Sequence, residues 1–230
     1  MSRAQSVVSL DPIDRTRKKQ DGLISRAFKT RHYKGKGMAK TDEYGAYIFV
    51  GKQRQGKTTS MLWYYEQLKK YHEKKGQKIH LASNMGIGHH FDRSEFHPLI
   101  HKVIYSEKDV WIFIVDELQS WYPKDTKDRT LLTEIDALTG DFSQLGKRQI
   151  YVLATAQVYG RINKNLREQA LYMVDCRRTF IGNNRCVNDF IPGDDIICDD
   201  LGRWSGIPTK IKVHGLPTTH FDTHLMIKSI

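Results

Sequence analysis

One octapeptide limits what this chain can fold into more than any other stretch: GKQRQGKT, residues 51–58, which matches G-x-x-x-x-G-K-[ST]. A short β-rich run, AYIFV (46–50), leads straight into it, and a helical pattern from Thr58 to about Lys75 leads out. In that pattern Met61, Leu62, Tyr65 and Leu68 fall on one face, Lys69, Lys70, Glu73 and Lys74 lie largely off it, and Gly76 ends it. Strand, glycine loop and helix together form a phosphate cradle. Gly51 and Gly56 let backbone N–H groups turn toward a β-phosphate, Lys57 neutralises β/γ oxygens, and Thr58 offers a hydroxyl to Mg²⁺. The helix brings its positive N-terminus to the same point. Gly51, Lys52, Gln53, Arg54, Gln55, Gly56, Lys57, Thr58 and Thr59 are the expected nucleotide contacts, and ATP with Mg²⁺ the expected ligands.

The counterpart of that loop is VWIFIVDE (110–117), an apolar run ending in two carboxylates. It predicts a buried strand whose Asp116 holds the Mg²⁺ shell, as does Thr58, and whose Glu117 orients and polarises an attacking water. A small-molecule kinase gains nothing from activating water, so the pair points to ATP hydrolysis. A GTPase is disfavoured: Asn163-Lys164-Asn165-Leu166 is the near match to N-K-x-D and lacks the aspartate.

KIHLASN (78–84), residues 149–156 and LYMVDCRRTF (171–180) read as further strands. Helical stretches at 93–101, 130–145 and 164–169 lie between them; in the second, Leu131, Leu132, Ile135, Leu138 and Phe142 are spaced for one face. The alternation predicts an α/β P-loop NTPase fold, a mainly parallel sheet with helices on both faces. Residues 1–42 lack sustained periodicity and read as an arm. Residues 43–230 read as one ATPase domain with a C-terminal β extension over 183–230, where IPTKIKV and HLMIKSI suggest edge strands.

Charge divides the chain in the same place. Residues 1–40 hold eleven Lys and Arg against three Asp and carry +8 of the net +11. A basic arm on a near-neutral body suits a polyanion or an acidic partner surface. Cys176, Cys186 and Cys198 have neither zinc-site nor disulfide-framework spacing and point to a reduced, intracellular setting. No signal peptide is visible, and VWIFIV is too short to span a bilayer.

In P-loop ATPases with a catalytic glutamate, an added strand lies between the loop strand and the carboxylate strand. Residues 149–156 are its natural candidate. Its C-terminal end then faces the γ-phosphate and puts Gln157 beside Glu117 as a sensor, with Thr155 a weaker candidate. Arg148 stands at the opposite end, roughly 30 Å along an extended chain, out of reach of its own phosphates but within reach of a neighbour's. An arginine supplied in trans makes hydrolysis depend on assembly. Arg177 and Arg178 are further arginine candidates.

Gly51–Thr58, Asp116-Glu117, Arg148 and Gln157 together resemble the FtsK/HerA superfamily of DNA-pumping ATPases, and within it the compact genome-packaging ATPases of membrane-containing double-stranded DNA viruses. The resemblance covers about residues 44–180. It departs at Lys52-Gln53-Arg54-Gln55, bulkier than the usual small residues, which leaves Arg54 to phosphate or solvent. It implies a homo-oligomeric ring of five or six subunits with ATP at the interfaces and Arg148 from the neighbour. It also implies duplex DNA through the centre, capsid or virion vertex proteins as partners, and a place in host cytoplasm or at a packaging vertex. The arm, the 124–129 loop, Arg161 and Lys164 are the basic candidates for gripping DNA. Zonula-occludens-toxin-like phage assembly ATPases share much of the pattern, including an acid pair followed by an aromatic and proline stretch, here LQSWYP (118–123); they carry a membrane segment.

His89, His90, His97 and His101 lie close in sequence, and HPLIH has i, i+4 spacing. Pro98 and the lack of a nearby cysteine make this read as a coincidental cluster. Trp63, Tyr64 and Tyr65 read as helix packing.

Overall fold

The computed structural model describes residues 43–179, 185–199 and 201–215; the basic arm and HLMIKSI lie outside them. The run ahead of the glycine loop forms β1 (Gly45–Val50), buried at every position. It pairs in parallel with β5 (Ile150–Ala156) on one side and β6 (Ala170–Thr179) on the other. Next to β5 comes β4 (Asp109–Val115), then β2 (Lys78–Ser83) and the two-residue β3 (His89–His90), all parallel. Beyond β6, β7 (Arg185–Pro192) and β10 (Lys210–Gly215) add antiparallel edge strands, giving the order β10-β7-β6-β1-β5-β4-β2-β3. β8 (Ile197–Cys198) and β9 (Trp204–Ser205) pair separately.

Alternation along the strands divides the core in two. On one face Tyr47, Phe49, Ile112, Ile114, Tyr151 and Leu153 meet Met61, Tyr64, Tyr65 and Leu68 of α1 (Lys57–Lys74). On the other, Ile48, Phe113, Val115 and Val152 meet Phe96 and Ile100 of α2 (Arg93–Lys102) and Ile135, Leu138 and Phe142 of α4 (Arg129–Phe142). Each fully buried side chain of this size contributes about 1.5–3 kcal/mol relative to exposure. Leu132 departs from its expected place: it is 37% exposed, while Leu131 packs partly on the core.

Two short elements have too little periodicity to read from sequence: β3 and α3 (Leu118–Trp121). α2 opens on a capping box in which Asp92 accepts from Ser94 N and Glu95 N while Glu95 accepts from Asp92 N. Its start, and so the placing of His97 and His101, is set locally. The edge strand β10 is held to α1 by His214, whose ring stacks on Trp63 at 4.5 Å and whose Nε2 lies 3.2 Å from Ser60 Oγ. Burial pushes the His214 pKa down. Among the described residues no helix is long and apolar enough to cross a membrane.

Candidate nucleotide site

The glycine loop sits where β1 ends, at the C-terminal edge of the sheet. Gly56 has φ 81°, and a Cβ there would fall 2.8 Å from Cys186 Sγ; one on Gly51 would fall 2.7 Å from the Cys176 carbonyl oxygen. Both glycines are therefore needed for close approach as well as for turning. The loop rests on the edge hairpin, with Gln55 Oε1 accepting from Arg178 N at 3.0 Å. Burial raises the pKa of both Cys176 and Cys186, so these thiols act as packing groups. Gly56 caps α1 in the left-handed conformation and no side chain caps the helix. The first N–H groups of an eighteen-residue helix are thereby left to an anion.

Four side chains from three strands and α1 converge beside it. Thr58 Oγ1 donates to Asp116 Oδ1 at 3.3 Å, and Thr155 Oγ1 donates to the same oxygen at 2.6 Å. The Thr155 hydroxyl in turn accepts from Glu117 N at 2.9 Å. Asn84 clamps the main chain of Asp116, accepting from its N at 2.8 Å and donating to its O at 3.1 Å. Glu117 has φ 58°, a conformation that costs a residue with a Cβ about 1–3 kcal/mol. Its N–H bond to Thr155 and the bonds that its carbonyl accepts from Ser120 (N at 2.8 Å, Oγ at 2.7 Å) hold it there. Its carboxylate accepts from Gln119 Nε2.

Strand order completes the picture: β5 lies between the loop strand and the carboxylate strand. The fold is that of a P-loop NTPase. No protein-family model matches the chain, and no curated protein matches it. Among solved structures it is similar to the N-terminal domain of zonular occludens toxin from Neisseria meningitidis, with 15% identity, TM-score 0.51, and coverage of 76% of this chain and 96% of that one. It also matches the genome packaging NTPase B204 of Sulfolobus turreted icosahedral virus 2 with ATP-gammaS (12% identity, 76% and 97% covered, TM-score 0.45).

Within this P-loop NTPase fold the sequence-predicted residues separate into two groups. Lys57, Thr58, Asp116 and Glu117 meet at the C-terminal edge. Lys57 is only 8% exposed. Thr155 is the strand residue in direct contact with the acid pair, while Gln157, half-buried, comes two residues later, just past the strand end. Lys52, Gln53 and Arg54 are exposed, Arg54 with φ 62°, and Thr59 is half-buried. The Thr58 hydroxyl and Asp116 carboxylate are hard oxygen donors that suit Mg²⁺, and the glycine cradle suits phosphate.

Arg148 is elsewhere and engaged within its own chain. It donates to Asp141 Oδ1 at 2.9 Å, to the Val103 carbonyl at 3.0 Å, to the His101 carbonyl at 2.8 Å and to the Ile100 carbonyl. Its side chain is 18% exposed. To reach a neighbour it would have to give up these four acceptors. Arg177 is paired with Asp189 and Asp175. Arg161 is exposed, and Lys164 lies 3.8 Å from Glu168. Asn84 belongs to no motif; its one sequence signal is its place at the end of the predicted strand KIHLASN.

Proposed function

We propose that the protein is an ATP-hydrolysing translocase of double-stranded DNA that packages a viral genome, working as a ring of five or six copies with ATP at subunit interfaces. The observation that carries hydrolysis is the bonded chain Thr58–Asp116–Thr155–Glu117 beside an uncapped helix N-terminus. Lys57 and the loop N–H groups bind the phosphates. Thr58 and Asp116 hold Mg²⁺, which when bound supplies neutralising charge to the phosphate oxygens. Glu117, pinned by Thr155 and Ser120, accepts a hydrogen bond from the attacking water and orients it. Gln157 reports on the γ-phosphate side. The arginine supplied in trans belongs to Arg148, Arg177 or Arg178.

The DNA reading is supported by the basic arm and by the resemblance of the site residues to the packaging ATPases. Grip through phosphates makes binding strongly salt-dependent. A second reading, an assembly or conjugation ATPase, has in its favour the likeness in fold to the zonular occludens toxin domain. One experiment separates them: phosphate release with and without duplex DNA, together with the mass of the oligomer. Free phosphate stimulated by DNA from a closed ring supports packaging. Turnover indifferent to DNA favours the assembly reading, and a phosphorylated small-molecule product would overturn both in favour of a kinase.

A further inference from the structure

His97 and His101, one turn apart on α2, converge with Asp141 near the end of α4 at the sheet edge opposite the nucleotide loop. The ligating atoms of all three lie within 4.8 Å of one another. His97 Nε2 is 3.2 Å and His101 Nδ1 is 3.3 Å from the same carboxylate oxygen, Asp141 Oδ2. We propose that this triad is a binding site for a borderline divalent transition ion, zinc foremost.

The distances carry the proposal. In a tetrahedral zinc site with bonds of about 2.0–2.1 Å, neighbouring ligand atoms lie about 3.3 Å apart. Both His–Asp separations already have that length, so the ion enters without moving either pair apart. Two imidazoles with one carboxylate select zinc-like ions over Mg²⁺ or Ca²⁺, which prefer oxygen. The triad is also anchored on both sides: the capping box fixes the start of α2, and Asp141 is 8% exposed. His101, 70% exposed in its side chain, leaves the fourth position to water.

The charge of Arg148 stands against a cation here. Its guanidinium, however, is bonded to the other carboxylate oxygen, Oδ1, and to three main-chain carbonyls whose negative ends face it. It orients Asp141 as an outer partner does in metal sites and leaves Oδ2 to the ion. A rival account of the same distances is protonated histidines paired with Asp141, with no metal involved.

Titration of the full-length, chelator-treated protein with Co²⁺ and then Zn²⁺ decides between them, read by visible d–d absorption and by the melting temperature. One equivalent of Co²⁺ in a tetrahedral-type spectrum, displaced by Zn²⁺ and accompanied by a rise in melting temperature, is expected. His101→Ala, an exposed substitution that spares the fold, weakens binding by at least the roughly 10–100-fold that loss of an outer partner costs, and His97→Ala does likewise. The double variant His89→Ala/His90→Ala leaves binding unchanged. No bound metal, or binding that survives in His97→Ala/His101→Ala, overturns the site and leaves protonated pairs.

Discussion

At one end of β5, Thr155 bonds both acids that follow the carboxylate strand; at the other, Arg148 ties the end of α2 to the end of α4. The two ends are built from different bonds. The upper end is a set of hydroxyl and carboxylate contacts, one of them 3.3 Å long, around a residue held in left-handed backbone. The lower end is a part-buried ion pair plus three carbonyl acceptors closing the C-terminal turn of α2, with Nε, Nη1 and Nη2 of Arg148 all donating within the chain. Chemistry is concentrated at one end of the strand and cohesion at the other.

Glu117 is the position where the upper end loses most. Glu117→Gln is expected to lower turnover by on the order of 10²–10⁴-fold while ATP binding persists; steady-state phosphate release and nucleotide titration measure the two. Unchanged turnover would remove Glu117 from its role and leave the upper end without a base.

Arg148 gives the next largest effect and sharpens the contrast. Arg148→Ala takes away the arginine partner of Asp141 and the donor of three main-chain carbonyls, while His97 and His101 stay beside the carboxylate, and losing hydrogen bonds to a charged group costs up to about 3 kcal/mol. For a chain of this size that lowers the melting temperature by up to roughly 6–12 °C. Mixing this variant with Glu117→Gln tests the other role. Recovery of turnover in the mixture, with little change in melting, would mean that Arg148 serves a neighbour's phosphates rather than its own fold.

Thr155 gives the smallest and most local effect. Thr155→Val keeps the shape but leaves Asp116 and Glu117 N without their shared hydroxyl, a loss of about 1–3 kcal/mol, and turnover falls with it. Thr155→Ser restores both. Equal turnover in Thr155→Val would return the sensing role to Gln157 alone.

Much of this was legible along the chain. The loop, the carboxylate pair and the alternation of strands with helices were each readable because each lies within one element, where spacing reports the face. The insertion of β5 between β1 and β4 followed from the acid pair's resemblance to glutamate-using ATPases rather than from periodicity. Other features resisted for a physical reason. Asn84 meets Asp116 across 32 positions, and His101 meets Asp141 across 40. Neither residue carries a local pattern, and each acquires its partner only when strands or helices are set side by side.

Residue type and short spacing were enough for a glycine-loop motif, an apolar strand ending in two acids and an α/β sheet to carry them. Tertiary structure alone decided that Thr155 holds the acids and that Arg148 closes a helix end. It also gathered His97 and His101 at Asp141, a triad whose histidines read as coincidence along the chain. Hydrogen bonds and ion pairs act over about 3 Å, and only packing decides which distant side chains come that close.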